Sequence, residues 1–520
     1  MKRHLASIFN DVVGPVMRGP SSSHSAAALR IGRMCRDLMG GDPGKVLVKY
    51  DRLDALATTH RSQGSDMGMM GGLLGYEADD ERLLDPEKYL LGAGIEVNFK
   101  VVDSGRTLPN LYRVHLQNQV QQIQVEAIST GGGMVEIIDI DGCPVSIQGD
   151  YFETLVYSSD HAALQSLKSK LPHPASAAIH TGEKSFLKIQ SAEPPDQGWV
   201  SELENMASVA AVRSISPVLP IRSGSFREVP FANYPQMIQF NQGRNLNAWQ
   251  LALEYESARG GIANGRVLEL MEERYRVMRN GIESGLKGTD FKDRIFGPQS
   301  VSYKQKLERG ELSRDEALHQ TILYVSALME VKSSMGTIVA APTAGSCGTF
   351  PGAVLGVADS IGAGKEDIIR ALLAGALVGI FIAEGFTFSA EIGGCQAECG
   401  AGSGMAASAI VTLMGGTLEQ CMGAASMALQ NSLGMICDPI AARVEAPCLG
   451  KNIGSATNAL ACANMALAGY DHLVPLDEVI ETMDRVGKSM PRELRCTALG
   501  GLAITPSAKK MEERLRGGEQ

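Results

Sequence analysis

The hydrophobic pattern of this chain changes near residue 229, and that change limits the folds that the chain can adopt. Before this point, segments such as "KVLVKY", "IEVNFKVV" and "MVEIIDI" alternate or run apolar, which is typical of β-strands. After it, apolar residues recur every three or four positions, as in "RVLELMEERYRVMRNGIESGL", which is typical of helices. The sequence therefore predicts an α+β protein with an N-terminal α/β domain over 1–150, a small α/β segment over 151–220 and an all-α domain over 221–520.

Composition excludes some classes of protein. Hydrophobic residues make up 44% and charged residues 20% of the chain, which is enough apolar material for a globular core. The net charge of −10 argues against nucleic acid as a partner, because nucleic-acid-binding proteins present a basic surface. "MKRHLASIFNDVVGP" reaches Asp11 before an apolar segment typical of an export signal has formed. The longest apolar run, "ALLAGALVGIFIA", is too short to span a bilayer, so we expect a buried core helix, no membrane partner and a cytoplasmic protein.

The ten cysteines are unevenly distributed, and most follow residue 340. Cytoplasmic thiols are kept reduced, which disfavours disulfides. Cys395 lies among glycines in "EIGGCQAECGAGSG", and Cys437 and Cys448 lie close to prolines, so we expect all three on loops. Three loop thiolates suit an iron–sulfur cluster with one iron left open. They suit tetrahedral zinc less well because no compact Cys-x-x-Cys pair is present, and thiols packed in a helical core are the other alternative.

Two segments rich in small residues are candidate anion sites. "RGPSSSHSAAALRIGR" places Ser21, Ser22 and Ser23 before a helix, whose free N–H groups attract a carboxylate or a phosphate. The alternative is that one serine caps the helix and the others are exposed. "STGGGM" lies between two predicted strands, which favours a turn over a phosphate cradle. No convincing Schiff-base lysine motif accompanies it, and a pyridoxal-phosphate lyase stays an alternative.

Several longer segments resemble the iron–sulfur L-serine dehydratases, or L-serine ammonia-lyases, in the form that fuses β and α parts. "GPSSSHS", "GSDMGMMGGLLG" and "STGGGMVEI" resemble the β part. The α part is resembled by "SMGTIVAAPTAGSCGTFPG", "GGCQAECGAGSGMAA", "LGMICDPIAARVEAPCLGKN" and "TALGGLAITPSAKK". The spacing Cys395-x41-Cys437-x10-Cys448 is similar to the cluster signature of that family.

The resemblance implies a [4Fe–4S] cluster bound by Cys395, Cys437 and Cys448, and a reaction that converts L-serine to pyruvate and ammonia without pyridoxal phosphate. The open iron would act as a Lewis acid on the substrate hydroxyl while a base removes the α-proton. The resemblance also implies an ACT-like regulatory domain near 151–220, although its glycine pattern is hard to find here. The fused form favours a homodimer.

The resemblance further implies a set of residues around the small-molecule substrate. The serine loop, Ser21 to Ser23 with His24, would hold the substrate carboxylate, and His24 is a candidate catalytic residue. Glu398, which follows Cys395 closely, is our candidate for orienting a ligand or the substrate ammonium. We also place Lys332 and Asn452 at the substrate site.

The chain departs from the family pattern at several positions. Gln63, in "RSQGSD", stands where relatives carry a histidine proposed as the catalytic base, and glutamine cannot take a proton at neutral pH. His60 is our candidate for the replacement base. Lys332 stands where relatives carry asparagine, Arg443 where they carry a small or apolar residue, and Lys451 where arginine is common.

These departures leave alternatives open. The added cations would suit a related β-hydroxy acid or amino acid with a further carboxylate. A catalytically inactive redox sensor that carries the cluster would explain the loss of the histidine. The fourth ligand of the resting cluster is also open among Cys496, Cys347 and Cys399. Cys496 comes first because some relatives close the open iron with a cysteine near the C-terminus.

Overall fold

The structure, a computed structural model, describes residues 5–105, 108–172, 176–222, 228–292 and 294–517. An α/β region is followed along the chain by a helical region, which confirms the predicted α+β class. The strands are β1 Val16–Met17, β2 Lys45–Asp51, β3 Glu96–Val102, β4 Leu111–Gln117, β5 Gln122–Gly131, β6 Met134–Ile140, β7 Cys143–Ile147, β8 Phe152–Tyr157, β9 Ala177–His180, β10 Phe186–Ser191, β11 Ala211–Ile215 and β12 Ile338–Val339.

The N-terminal region contains a six-stranded mixed sheet in the order β3-β2-β4-β5-β6-β7. β2 and β3 run parallel, and the other neighbouring strands are antiparallel. Alternate residues of β2, Val46, Val48 and Tyr50, are buried, as expected for a sheet with one covered face. The helices of this region are α1 Ala27–Leu38, α2 Leu56–Thr59, α3 Ser65–Leu73 and α4 Pro86–Ala93.

Two glycines let α3 lie directly against α1 and the serine loop that precedes it. A β-carbon added at Gly68 would collide with the backbone carbonyl of Ser25, and one added at Gly72 would collide with that of Leu29. Any larger residue at either position would push the two helices apart. This close contact holds the serine loop beside the segment that carries His60 and Gln63.

The next region forms a four-stranded antiparallel sheet in the order β11-β8-β10-β9. Along the chain its elements follow the order strand, helix, strand, strand, helix, strand. The two helices are α5 His161–Lys170 and α6 Gln197–Glu204. The predicted boundary after residue 220 lies beside residues 223–227, which are outside the described residues, so the domain limits stay predictions.

The C-terminal region is helical and forms the largest apolar core. The predicted core helix is confirmed as part of α13, whose apolar window is 83% buried among other elements although the helix is long enough to cross a membrane. The helices are α7 Tyr234–Asn241, α8 Ala248–Gly260, α9 Asn264–Leu286, α10 Gln299–Glu308, α11 Glu316–Ser333, α12 Thr349–Ser360, α13 Lys365–Gly385, α14 Ala390–Gly393, α15 Cys399–Leu413, α16 Leu418–Gln430, α17 Cys448–Leu467, α18 Leu476–Ser489 and α19 Pro506–Gly517.

Segments of the N-terminal region reach into the helical region and fix how the two parts meet. Ile8 and Phe9 are fully buried in the helical core, and β1 pairs with β12. The predicted turn at "STGGGM" is confirmed, because β5 ends at Gly131 and β6 begins at Met134. A β-carbon at Gly131 would lie 2.7 Å from the backbone nitrogen of Ser389. The turn therefore packs against the segment that leads to the cysteines.

Candidate active site

Four buried thiols form one hydrogen-bonded group between the helical region and the N-terminal region. Cys395 is hydrogen-bonded to Cys399 and to Cys437, and Cys437 is also hydrogen-bonded to Cys496. None of the four residues is more than 4% exposed. Two of the three predicted cluster ligands, Cys395 and Cys437, are therefore adjacent, and a candidate fourth ligand, Cys496, lies beside them.

Backbone contacts bring the segments that carry these thiols together. The amide of Cys437 donates to Leu494 O at 2.8 Å, and the amide of Cys496 donates to Cys437 O at 2.9 Å. Cys395 lies on a short turn between α14 and α15. The residue before it, Gly394, has a φ of +68°, and a β-carbon there would lie 2.8 Å from Met435 O. Glycine is thus required for the cysteine turn to approach the Cys437 loop.

Cys448, the third predicted ligand, is the first residue of α17. Its side chain is 5% exposed, and it lies close enough to Cys395, Lys332 and Glu398 for their charges to affect its pKa. Asn452, one turn later, donates to Cys448 O and to Gly345 O, both at 2.9 Å, and accepts from Thr349. Both polar atoms of Asn452 thus bind protein, which indicates a positioning role; its predicted contact with substrate stays a prediction.

Electrostatics favour a thiolate at Cys395. Hydrogen bonds from the thiols of Cys399 and Cys437 hold the pKa of Cys395 well below the ordinary range, and the ammonium of Lys451 acts in the same direction. Lys451 donates to Ile436 O and to the Asp438 carboxylate, both at 2.6 Å. This ion pair keeps a positive charge beside the Cys437 loop, which favours thiolates there. Thiolate is the form of cysteine that binds metals.

Glu398 lies beside the thiols. Its carboxylate oxygen, Cys395 Sγ and Cys437 Sγ lie within 4.8 Å of one another. Burial, followed by the negative charge at Cys395, raises the pKa of Glu398 to about 8, and Thr343 Oγ1 donates to the carboxyl at 2.7 Å. The carboxyl therefore carries a proton at neutral pH and is suited to act as an acid.

The serine loop of the N-terminal region is not a loop before a helix as expected, because Ser22, Ser23 and His24 lie in a π-helical turn, Ser22–Ala26, that continues into α1. Ser21 precedes this turn and makes no side-chain capping hydrogen bond to it. Ser21 Oγ lies 3.0 Å from His24 Nδ1, and Ser22 Oγ accepts from the backbone nitrogen of Ala344 at 3.2 Å. Ser23 is 6% exposed. Ser22 thus connects the loop to the helical region, while Ser21 is committed to the histidine. The predicted binding of a carboxylate at this loop stays a prediction.

The hydrogen-bond network assigns the tautomer of His24. Thr59 Oγ1 donates its proton to Ala55 O at 2.7 Å, so His24 Nε2, 2.9 Å from the same oxygen, carries a hydrogen and donates it. Burial outweighs the nearby Glu391 carboxylate and lowers the pKa of His24, so the ring is neutral at neutral pH. Nδ1 then accepts the hydroxyl proton of Ser21. Nδ1 is thus positioned to take a proton through Ser21, and the catalytic role of His24 stays a prediction.

His60 forms a separate dyad with Asp66. Its Nδ1 lies 2.8 Å from one carboxylate oxygen of Asp66, and Tyr50 donates to the other at 3.0 Å. The ring packs against Tyr50, with centroids 4.8 Å apart. A carboxylate at Nδ1 leaves Nε2 as the acceptor, which is a suitable arrangement for a base. Within the described part of the chain, however, His60 forms no hydrogen bond with the thiols, so its catalytic role stays a prediction.

Gln63, at the position where the resemblance predicts a histidine, lies at the thiols. Its Nε2 donates to Ala442 O at 3.3 Å and lies 3.9 Å from Cys496 Sγ. The residue is fully buried, and Oε1 has no hydrogen-bond partner among the described residues. The structure therefore brings this position to the site, where the amide supplies hydrogen bonds and no base.

The other predicted residues lie around the edge of the site. Lys332 is fully buried and donates to Val444 O, so its ammonium holds the loop before Cys448. Arg443 lines a neighbouring cavity of about 160 Å³ together with Arg61. Cys347 packs against Met329, and burial raises the pKa of its thiol to about 12. Nothing in these contacts supports Cys347 as a ligand.

Sequence reasoning gave no role to Glu391, although this residue begins the cysteine segment "EIGGCQAECGAGSG". Its side chain is 4% exposed, and one oxygen lies 3.8 Å from His24 Nδ1. The negative charge of Glu391 affects the pKa of His24, Asp54 and Cys496, so the carboxylate lies between the serine loop and the thiols. The sequence signal that could have indicated a site residue is its position only four residues before Cys395.

The donor set suits an iron–sulfur cluster. Several buried thiols, a thiolate at Cys395 and the cation of Lys451 provide the ligands and the charge compensation that an anionic cluster needs. Cys395, Cys437 and Cys448 are the residues that would hold it, with Cys496 within reach of a fourth position.

The chain is similar to known proteins of one family. The family model described as "Serine dehydratase alpha chain" matches residues 243–503. The probable L-serine dehydratase alpha chain of Bacillus subtilis is 35% identical over 55% of this chain and 96% of its own length. The probable beta chain of the same organism is 30% identical over 40% of this chain and 98% of its own length. The L-serine dehydratase of Streptomyces coelicolor is 25% identical over 94% of this chain and 96% of its own length.

Proposed function

Because this chain belongs to the iron–sulfur L-serine dehydratase family, we propose that it is a [4Fe–4S]-dependent L-serine ammonia-lyase that forms pyruvate and ammonia. The observation that carries the proposal is the buried thiol group at Cys395 and Cys437, together with the Glu391 carboxylate, which lies 3.8 Å from His24 and whose charge also acts on the pKa of Cys496 in the same group. When bound, the cluster supplies a Lewis-acidic iron that makes the substrate hydroxyl a better leaving group.

The residues of the chain would divide the remaining work. The serine loop binds the substrate carboxylate, because it combines hydroxyl groups with the N-terminal end of a helix. The neutral His24 takes the α-proton through Ser21, whose own proton already points to Nδ1. The carboxyl of Glu398, held by Thr343, gives a proton to the departing hydroxyl. The aminoacrylate that results tautomerises to an imine and hydrolyses in water.

His24 and His60 remain the two candidates for the base, and the contacts favour His24. His24 lies 3.8 Å from Glu391 and is bonded to Ser21, whereas the dyad of His60 with Asp66 packs on Tyr50 and Phe99. The predicted substrate with a further carboxylate, the homodimer and the cytoplasmic location stay predictions.

The first test is pyruvate release from L-serine by protein that is purified without oxygen and reconstituted with iron and sulfide. We expect turnover that disappears in an aliquot exposed to air, because oxygen destroys a cluster with an open iron. A spectrum of the same sample checks that the cluster is present. An intact cluster without serine turnover would contradict the proposal and would favour another β-hydroxy acid or a redox sensor.

We propose that Cys496 occupies the fourth iron position when no substrate is bound. Its hydrogen bond to Cys437 and its backbone bond to the same residue place its sulfur within the thiol group. Cys496→Ser is expected to change the electron paramagnetic resonance spectrum of the substrate-free cluster while serine turnover is retained. Cys347→Ser is the matched control, since this buried thiol packs against Met329. If the spectrum of the substrate-free cluster is unchanged in Cys496→Ser, Cys496 is not the fourth iron ligand.

A further inference from the structure

Glu391 is a buried carboxylate with few partners. One oxygen accepts from Ser389 Oγ at 2.7 Å, and the other lies 3.8 Å from His24 Nδ1. That nitrogen already accepts the Ser21 hydroxyl in the neutral tautomer, so it has no proton to share with Glu391. A buried carboxylate with a single hydrogen bond is costly unless a cation accompanies it.

Within the described part of the chain, no lysine or arginine forms an ion pair with Glu391. The guanidinium of Arg495, which lies on a neighbouring segment, instead contacts Ile392 O at 3.5 Å. Lys332 and Lys451, the two lysines near the thiols, bond to Val444 O and to Asp438. The protein therefore positions a negative charge between the serine loop and the thiols without supplying a positive partner.

Two buried polar side chains at the junction between β5 and the segment that carries Glu391 also have no hydrogen-bond partner among the described residues. Asn110 is fully buried, and neither atom of its amide is bonded. Ser129 is 4% exposed, and its hydroxyl is unbonded as well. Buried polar groups are rarely left in this state unless water or a ligand satisfies them.

The contacts connect these two residues to the turn that carries Glu391. The backbone nitrogen of Ser129 donates to Asn110 O at 3.2 Å. Two residues beyond Ser129, Gly131 packs on the backbone of Ser389, the residue whose hydroxyl binds Glu391. Thr387 Oγ1 contacts Thr130 O at 3.4 Å and continues the same junction.

We propose that Glu391 binds the α-ammonium group of the substrate, with the amide oxygen of Asn110 and the hydroxyl of Ser129 as further acceptors. An ammonium has three N–H donors and one positive charge. The three groups offer one acceptor for each donor, and the carboxylate among them supplies the negative charge. The assignment rests on the proposed function only in that the substrate is an amino acid. In this assignment Glu391 binds the substrate ammonium, and Glu398 protonates the substrate hydroxyl beside the thiols.

The test compares two small acids that lack the leaving hydroxyl and therefore do not react. L-Alanine carries the α-ammonium, and propanoate does not. Binding of each to the anaerobic, cluster-loaded enzyme is measured by calorimetry. Wild-type protein is expected to bind L-alanine more tightly than propanoate. In Glu391→Gln, binding of L-alanine is expected to weaken about 10- to 100-fold, the range for a lost charge-assisted hydrogen bond, while binding of propanoate is unchanged.

Two further variants make the result specific. Glu398→Gln is the matched control, because it removes a second carboxyl of the site and is expected to leave the ratio of the two affinities unchanged. Asn110→Gly removes the amide and adopts the φ of +53° at this position without strain. It is expected to weaken the binding of L-alanine several-fold and to change the binding of propanoate little. If Glu391→Gln does not fold, Glu391→Asp keeps the charge on a shorter side chain and is expected to give a smaller loss for L-alanine alone.

The outcomes separate this assignment from the proposed reaction. Equal weakening of both acids in Glu391→Gln, or no weakening, would overturn the ammonium site even if wild-type protein deaminates L-serine. Wild-type protein that binds L-alanine no more tightly than propanoate would overturn it as well. A third outcome is that wild-type protein prefers L-alanine but does not turn over L-serine, and that Glu391→Gln loses this preference. It would support the ammonium site and would contradict the proposed substrate.

Discussion

Replacing Cys395 by serine is expected to abolish cluster binding and to lower the turnover of L-serine more than about 1,000-fold. Cys395 is the thiolate of the buried group, and it is hydrogen-bonded to both Cys399 and Cys437. A serine hydroxyl at this position stays protonated at neutral pH and does not replace a thiolate as a ligand. The measurements are iron and sulfide per protein after anaerobic reconstitution, together with pyruvate release.

Cys462→Ser is the matched control for this experiment. Cys462 is also fully buried, but it lies along α17 and is bonded to Asn431 and Asn458, away from the thiol group. We expect it to keep its iron content and most of its activity. Full iron loading in Cys395→Ser, or equal loss of iron in both variants, would show that Cys395 is not a ligand.

His24→Ala is expected to lower kcat for L-serine by about 100- to 10,000-fold, the usual contribution of a general base. The ring lies between Ser21 and Thr59, and no neighbouring described side chain replaces its Nδ1. Cluster content is expected to be unchanged, because no hydrogen bond or ion pair joins His24 to a cysteine within the described part of the chain. His60→Asn is the comparison, and we expect a smaller effect on kcat.

The pH profile gives a second readout for His24. Burial lowers the pKa of this ring, so the neutral form persists as the pH falls below the ordinary range of histidine, and activity is lost only when the ring finally takes a proton. The acid limb of kcat is therefore expected below about pH 6.5, and a residual rate in His24→Ala is expected to lack it. A larger loss in His60→Asn than in His24→Ala would assign the base to His60.

The sequence predicted the elements of this fold well where the signal is local. Alternation of apolar residues located the strands, and three- to four-residue periodicity located the long helices, including the core helix α13. The turn at "STGGGM" and the loop position of Cys437 also follow from nearby glycine and proline. Cys395 lies in a short 3₁₀ turn, and Cys448, also expected on a loop, is instead the first residue of α17. Local steric and hydrogen-bonding preferences decide such features, so a short window of sequence contains them.

Part of the candidate site was also readable, but only through resemblance. The spacing of Cys395, Cys437 and Cys448 predicted the ligand set, and Gln63 was recognised as a departure. The surroundings of these residues were not predicted. Glu391 received no role, and Asn452 was expected to contact substrate although its amide is bonded to Gly345, Cys448 and Thr349.

The sequence by itself thus determined the class of fold and the core helix, while the resemblance predicted the residues that would bind a cluster. Only the tertiary structure decided which groups surround them. Gln63 and Cys496 are 433 positions apart and yet lie within 3.9 Å of each other, and His24 meets Glu391 across the two regions. Such contacts depend on how separate elements pack. Examples are the close packing of Gly68 against the backbone of Ser25 and of Gly131 against the backbone of Ser389. The free energy of packing is shared among many residues, so no short segment encodes it.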